Sequence, residues 1–128
     1  MKKFILLLML FSTFALMANP QHFYWYDNGG IYKANLDGTN QVQILPVATT
    51  TTGYDLEVDY HGEKLYIATY SSGILRANLD GTGLETILSS AEVLNYSSIG
   101  LDLKTNKIYY YAKDGLSIKR ANLDGTSI

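Results

Sequence analysis

One nine-residue line occurs three times in this chain. It reads Ile31-Tyr32-Lys33-Ala34-Asn35-Leu36-Asp37-Gly38-Thr39, then Ile74-Leu75-Arg76-Ala77-Asn78-Leu79-Asp80-Gly81-Thr82, then Ile118-Lys119-Arg120-Ala121-Asn122-Leu123-Asp124-Gly125-Thr126. The asparagines sit 43 and then 44 residues apart. A fixed period in this range means stacked copies of one supersecondary unit. It turns the functional question from single catalytic residues toward a repeated surface.

The stretch between the second and third copies shows what one unit is. Leu84–Leu88, Ser98–Leu103, Lys107–Tyr111 and Ser117–Ala121 are short, β-branched or aromatic, and mostly alternate with a period of 2. Turn residues separate them: Lys104-Thr105-Asn106, Lys113-Asp114-Gly115 and Asn122-Leu123-Asp124-Gly125. No mature stretch carries an apolar stripe at helical spacing. The unit is therefore about four short antiparallel strands, the size of a propeller blade. A β-helix needs shorter repeats, and a sandwich would not repeat one turn so faithfully.

The repeated turn residues are Asn35, Asp37 and Gly38, then Asn78, Asp80 and Gly81, then Asn122, Asp124 and Gly125. Asn and Asp side chains bond nearby backbone N–H groups, and Gly accepts a positive φ. These residues are expected to close hairpins. A calcium loop needs several converging carboxylates, and each copy has one, so no metal ligand is assigned.

The first segment stands apart. Lys2 and Lys3 precede an apolar run, Phe4–Met17, and Ala18 precedes Asn19 and Pro20. This is the layout of a secretory signal peptide over residues 1–18, cleaved after Ala18. The run is short of the ~20 residues that span a bilayer, so no membrane span is expected after cleavage. There is no cysteine, which excludes a lipoprotein anchor and points to a bacterial exported protein, periplasmic or secreted. Without Lys2 and Lys3 the chain keeps 8 basic against 12 acidic side chains, a net of −4, which disfavours nucleic acid as a partner.

The residues resemble the low-density-lipoprotein-receptor class B repeat, whose blades carry a Tyr-Trp-Thr-Asp signature and an Ile-x-Arg-Ala-Asn-Leu-Asp-Gly line. Tyr24-Trp25-Tyr26-Asp27 is close to the signature, while Tyr66-Ile67-Ala68-Thr69 and Tyr109-Tyr110-Tyr111-Ala112 have drifted from it. Gly53–Tyr60 and Ile99–Leu103 are similar to the family's preceding strand. The resemblance implies a six-bladed propeller with strands A to D running outward from the axis. It implies signature residues that pack blades together, and a scaffold rather than an enzyme.

On this reading, blade 1 holds strands B to D (about 23–46), blade 2 is complete (about 54–89), and blade 3 holds strands A to C (about 97–122). That is a partial propeller of about ten strands. Six blades at this repeat length need roughly 260 residues, so the expectation is a piece of a longer propeller whose remaining blades cover the ends. Self-association is the lesser expectation, because joining end to start leaves two strands missing at each seam.

Within a blade, A–B and C–D turns share one face, and B–C and D–A loops share the other. The C–D turns are nearly invariant, whereas the B–C and D–A connections vary, and such variation marks a binding surface in repeat proteins. Tyr70, Ser71 and Ser72 on one B–C loop, and Asn95 and Tyr96 on a D–A loop, are the candidate partner-binding residues for a protein or other extracellular ligand. No catalytic residue, cofactor or metal is assigned. His22 and His61 stand alone, and the strand-A Asp59 and Asp102 recur as a structural contact would, the expected partner being the basic residue on strand C. The alternative is a lactonase-like hydrolase whose metal is held by acids from several blades.

Overall fold

The structure, a computed structural model, describes residues 21–27, 30–46, 53–95, 97–114 and 117–128, apart from the side chain of Tyr54. The segment expected to be a signal peptide, residues 1–18, lies outside the described residues, as do Tyr96 and Gly115. Ten strands follow in order: β1 (His22–Asp27), β2 (Gly30–Asn35), β3 (Val42–Pro46), β4 (Gly53–Asp59), β5 (Lys64–Thr69), β6 (Gly73–Asn78), β7 (Glu85–Leu88), β8 (Ile99–Asp102), β9 (Lys107–Tyr111) and β10 (Ile118–Asn122).

Each sheet is a simple antiparallel meander: β1-β2-β3, β4-β5-β6-β7 and β8-β9-β10. The inner strand β4 neighbours both β1 and β8, so the three sheets fan out from one side. This is an all-β architecture, part of a β-propeller. The repeated line forms the third strand of each blade and the turn after it. Opposite each line sits the tyrosine of strand B: Tyr24 pairs with Lys33, Tyr66 with Arg76, and Tyr109 with Arg120.

Period 2 gives each sheet two apolar faces, and neither can be buried within its own blade. The faces meet between blades. Ile31 and Leu45 of blade 1, flanked by Tyr26 and Ile44, pack on Ile67, Leu75 and Ala77 of blade 2. Tyr66, Ala68, Ile74 and Leu88 of blade 2 pack on Ile99, Ile108, Tyr110 and Ala121 of blade 3. The core is therefore two interblade layers.

One feature of the blades is absent from the period-2 pattern. The β2–β3 and β6–β7 ladders both slip at the isoleucine or its neighbour, between Ile31 and Tyr32 and between Ile74 and Leu75. Just before each slip, Gly30 (φ 126°) and Gly73 (φ 82°) press on the last strand. A Cβ there would lie 1.9 Å from the Leu45 carbonyl oxygen or 2.1 Å from that of Leu88. Such bulges bend the outer strand and raise its twist.

Candidate functional site

The two ends of the blades differ in how fully their polar groups are used. At the end bearing the C–D turns, one set of bonds recurs in every copy. Asn35 N–H donates to the Thr39 carbonyl and Gly38 N–H to the Asn35 carbonyl, both at 2.9 Å. The Thr39 amide (2.9 Å) and hydroxyl (2.6 Å) both donate to Asp37 Oδ1, and Asn35 Nδ2 donates to Thr39 Oγ1 at 2.9 Å. The same bonds join Asn78, Asp80 and Thr82, and then Asn122, Asp124 and Thr126. The free oxygens of Asn78 and Asn122 accept from Lys64 and Lys107. Asn40, Gly83 and Ser127 follow the threonines with φ of 55°, 65° and 55°, a left-handed step that in the first two copies leads into strand D.

The turn carboxylates are committed to this work. Asp37, Asp80 and Asp124 are all held below the usual carboxylate range, first by the threonine hydroxyl and then by the threonine N–H. A depressed carboxyl contributes stability that is present above its unfolded value of about 3.9 and lost as pH falls through the lower folded value. Acid destabilisation is thus expected below about pH 4, and Asp80→Asn with Asp124→Asn should flatten it. Urea midpoints measured across pH check this, and an unchanged slope in the double variant would refute it.

The turns also do what the sequence did not suggest: they dock onto the preceding blade. A Cβ on Gly81 would lie 2.2 Å from the Ile44 carbonyl oxygen of blade 1, and one on Gly125 would lie 2.0 Å from that of Ile87 in blade 2. Tyr24 Oη donates to the Leu79 carbonyl at 3.3 Å, and Arg76 Nη1 to the Leu123 carbonyl at 2.9 Å. Arg76 also holds Glu85 Oε1 through Nε and Nη2, at 3.0 and 2.7 Å.

The strand-A aspartates cap their own A–B turns and do not pair with strand C. Asp59 Oδ1 accepts from the N–H groups of His61 (3.0 Å) and Gly62 (2.8 Å). Asp102 accepts from the amides of Lys104 and Thr105 and, at 2.6 Å, from the Thr105 hydroxyl. A short Asx side chain reaches an amide two or three residues on more readily than a base on the far side of the intervening strand. The contact expected with the strand-C base is therefore corrected to a turn cap. His61 is exposed on that turn, and His22 stands at the start of β1.

At the opposite end, the β5–β6 turn carries Tyr70, Ser71 and Ser72. Tyr70 is exposed, and Thr69 Oγ1 accepts from the Ser72 amide at 3.0 Å and donates to the Gly73 carbonyl at 2.9 Å. The close approach of Gly73 to Leu88, Ser89 and Ser90 sets this turn beside the start of the D–A segment. That segment is a latch between blades. Buried Val93 bridges to Ala112, Leu94 N–H donates to the Tyr111 carbonyl at 2.9 Å, and Lys113 N–H to the Glu92 carbonyl at 2.9 Å. Asn95 follows the latch, half-buried.

One acidic pair lies on the innermost strand. Burial, and then neighbouring Asp55, push the Glu57 carboxyl up. Asp55 itself holds backbone, taking Leu56 N–H at 3.0 Å and, across the interface, Ile99 N–H at 2.8 Å. Among the described residues, no three His, Cys, Asp or Glu side chains come together as a metal site would require. No helix among them is long and apolar enough to cross a membrane.

No family model matches the chain, and no curated protein matches it. Among solved structures, it is similar to a chain in the crystal structure of a nidogen/laminin complex, with a TM-score of 0.72 and 21% identity. The match covers 85% of this chain and 43% of that one, so the present chain spans less than half the neighbour's length. At this identity the likeness is one of fold.

Proposed function

We propose that this chain is an exported, non-enzymatic scaffold of the low-density-lipoprotein-receptor class B kind, which binds a protein through the end carrying its B–C and D–A loops. The observation behind the reading is the contrast between the two ends. The C–D turns spend their polar groups on themselves, and the second and third set their backs on the preceding blade. The other end varies in length from repeat to repeat and presents an exposed tyrosine at Tyr70. The fold neighbour comes from a complex of two proteins, which agrees with a protein partner. The apolar leader over residues 1–18 supports export, with the rest of a closed ring supplied by further repeats.

Photo-crosslinking tests it. A photoreactive residue at Tyr70 should give discrete adducts with an exported protein, and one at Thr105, on the opposite end, should not. Tyr70→Ala should weaken capture roughly tenfold. Equal adducts from both ends, or none from Tyr70, would overturn the reading. The Asp55–Glu57 pair favours one second reading, a lactonase-like hydrolase with further acids from other blades. Divalent-cation-dependent lactone hydrolysis abolished by Glu57→Gln would establish it instead.

A further inference from the structure

The interface between blades 2 and 3 carries a polar cluster that the repeat does not announce. One cross-strand place on strands B and C recurs in every blade. It holds Trp25 beside Tyr32, Ile67 beside Leu75, and Tyr110 beside Lys119. In blade 2 the pair is apolar and buried, with Ile67 1% and Leu75 4% exposed. In blade 3 the same place brings a phenol and an ammonium to the face turned toward blade 2. Two carboxylates join them. Counted from Leu45 and Leu88, Glu92 stands where the preceding D–A segment has Thr49. Counted from Tyr66 and Tyr109, Asp114 stands where the preceding B–C turn has Ser71. Four polar or charged side chains thus change together at one interface, a departure from local rules of the kind that marks a working part.

Lys119 Nζ lies 2.5 Å from Asp114 Oδ2 and 3.9 Å from Glu92 Oε2. Asp114 holds the ammonium closely, whereas Glu92 stands beyond hydrogen-bond reach of it. Both members of the longer pair are open to solvent, Lys119 by 30% and Glu92 by 43% of the side chain. Tyr110 is buried, and its hydroxyl has no hydrogen-bond partner among the described residues. A buried hydroxyl in that position bears the cost of its lost water uncompensated. Burial pushes its pKa up, and of the charges around it Glu92 acts most strongly, ahead of Lys119 and Asp114. The backbone of Glu92 is fixed, since its carbonyl takes Lys113 N–H at 2.9 Å and Val93 bridges to Ala112. That leaves the Glu92 side chain as the movable part.

We infer that the Glu92 carboxylate has two seats, outward on the Lys119 ammonium and inward on the Tyr110 hydroxyl, and that the exchange works as a salt-sensitive latch at the loop end of this interface. Outward, Glu92 and Asp114 share one ammonium, which ties the D–A segment to strand C and the B–C turn of blade 3. Inward, the Tyr110 hydroxyl donates to Glu92 in a charge-assisted bond, and Lys119 stays with Asp114 alone. Desolvation of the carboxylate favours the outward seat. The outward attraction acts over 3.9 Å at an exposed surface and fades as salt rises, whereas a buried bond is little screened. Rising ionic strength therefore moves Glu92 inward. The latch lies on the end proposed to bind a partner, yet it rests on the interface alone and needs no partner to operate.

A double-mutant cycle at two ionic strengths tests this. Urea unfolding of the chain, Tyr110→Phe, Glu92→Ala and the double variant is compared at about 0.05 M and about 1 M sodium chloride, where the screening length falls from above ~10 Å to ~3 Å. At low salt Tyr110→Phe removes an unpaired hydroxyl and should leave stability unchanged or slightly raised. At high salt it should raise the unfolding equilibrium constant roughly tenfold, since a bond to a charged group is lost. In the Glu92→Ala background that cost should vanish. Lys119→Met removes the outward seat and should bring the cost of Tyr110→Phe to low salt as well. General effects of salt on burial act on every variant and cancel in the cycle. By NMR, a slowly exchanging tyrosine hydroxyl proton should appear with salt and be missing from Tyr110→Phe and Glu92→Ala. A Tyr110→Phe effect equal at both ionic strengths, one that persists without Glu92, or no such proton at high salt would each overturn the inference.

Discussion

Gly81→Ala and Gly125→Ala are each expected to lower stability by roughly 3 kcal/mol or more, while Gly38→Ala costs only about 1 kcal/mol. The three glycines occupy the same place in the same turn and share nearly the same backbone, with φ of 87°, 83° and 81°. An alanine in this left-handed region loses a similar amount at all three positions. What differs is the space beyond. The added methyl would stand 2.2 Å from the Ile44 carbonyl at Gly81 and 2.0 Å from that of Ile87 at Gly125, but in open space at Gly38. Backbone oxygens cannot rotate away as a side chain would, so a blade must shift and the interblade layer loses its packing. Urea unfolding of the three variants isolates the contact term. Equal losses at all three positions would mean that the turns close hairpins and nothing more.

That result would also show where sequence reasoning stops short. The strand count and the antiparallel meander were legible because period 2 and the turn residues are local signals. The hairpin role of Asn35, Asp37 and Gly38 was legible for the same reason. The docking of Gly81 and Gly125 was not, since it depends on which strand of another blade lies behind the turn. A faithful repeat of glycine in an otherwise sufficient turn was the available clue. The bulges at Ile31 and Ile74 were hidden likewise, although Gly30 and Gly73 stand just ahead of them. Asp59 and Asp102 misled because recurrence announces a structural contact without naming its partner, and the nearest amides won. Of the candidate loop residues, Tyr70 to Ser72 fall together at one turn. Asn95 ends a latch whose hydrogen bonds no sequence pattern announced.

The isoleucine that opens each repeated line should show the largest contrast between identical substitutions. Ile74 is fully buried between blades 2 and 3, among Tyr66, Leu88, Ile108 and Ala121. Ile74→Ala removes three carbons from a packed layer whose walls are strands, and strands held in ladders collapse poorly into a void. The expected cost is ~2–5 kcal/mol, the transfer of the lost methyl groups plus the cavity they leave. Ile118 is the same residue in the same register, opposite Tyr111 on β9, yet it is 76% exposed. Ile118→Ala should therefore change the stability of the dilute chain by no more than about 0.5 kcal/mol. Strand propensity falls equally in both variants, so the difference between their urea midpoints measures burial by a following blade. If Ile118→Ala proved as costly as Ile74→Ala, the difference in exposure between the two isoleucines would not be what sets their cost. If Ile74→Ala were nearly neutral, the interblade layer would not be what holds the stack together.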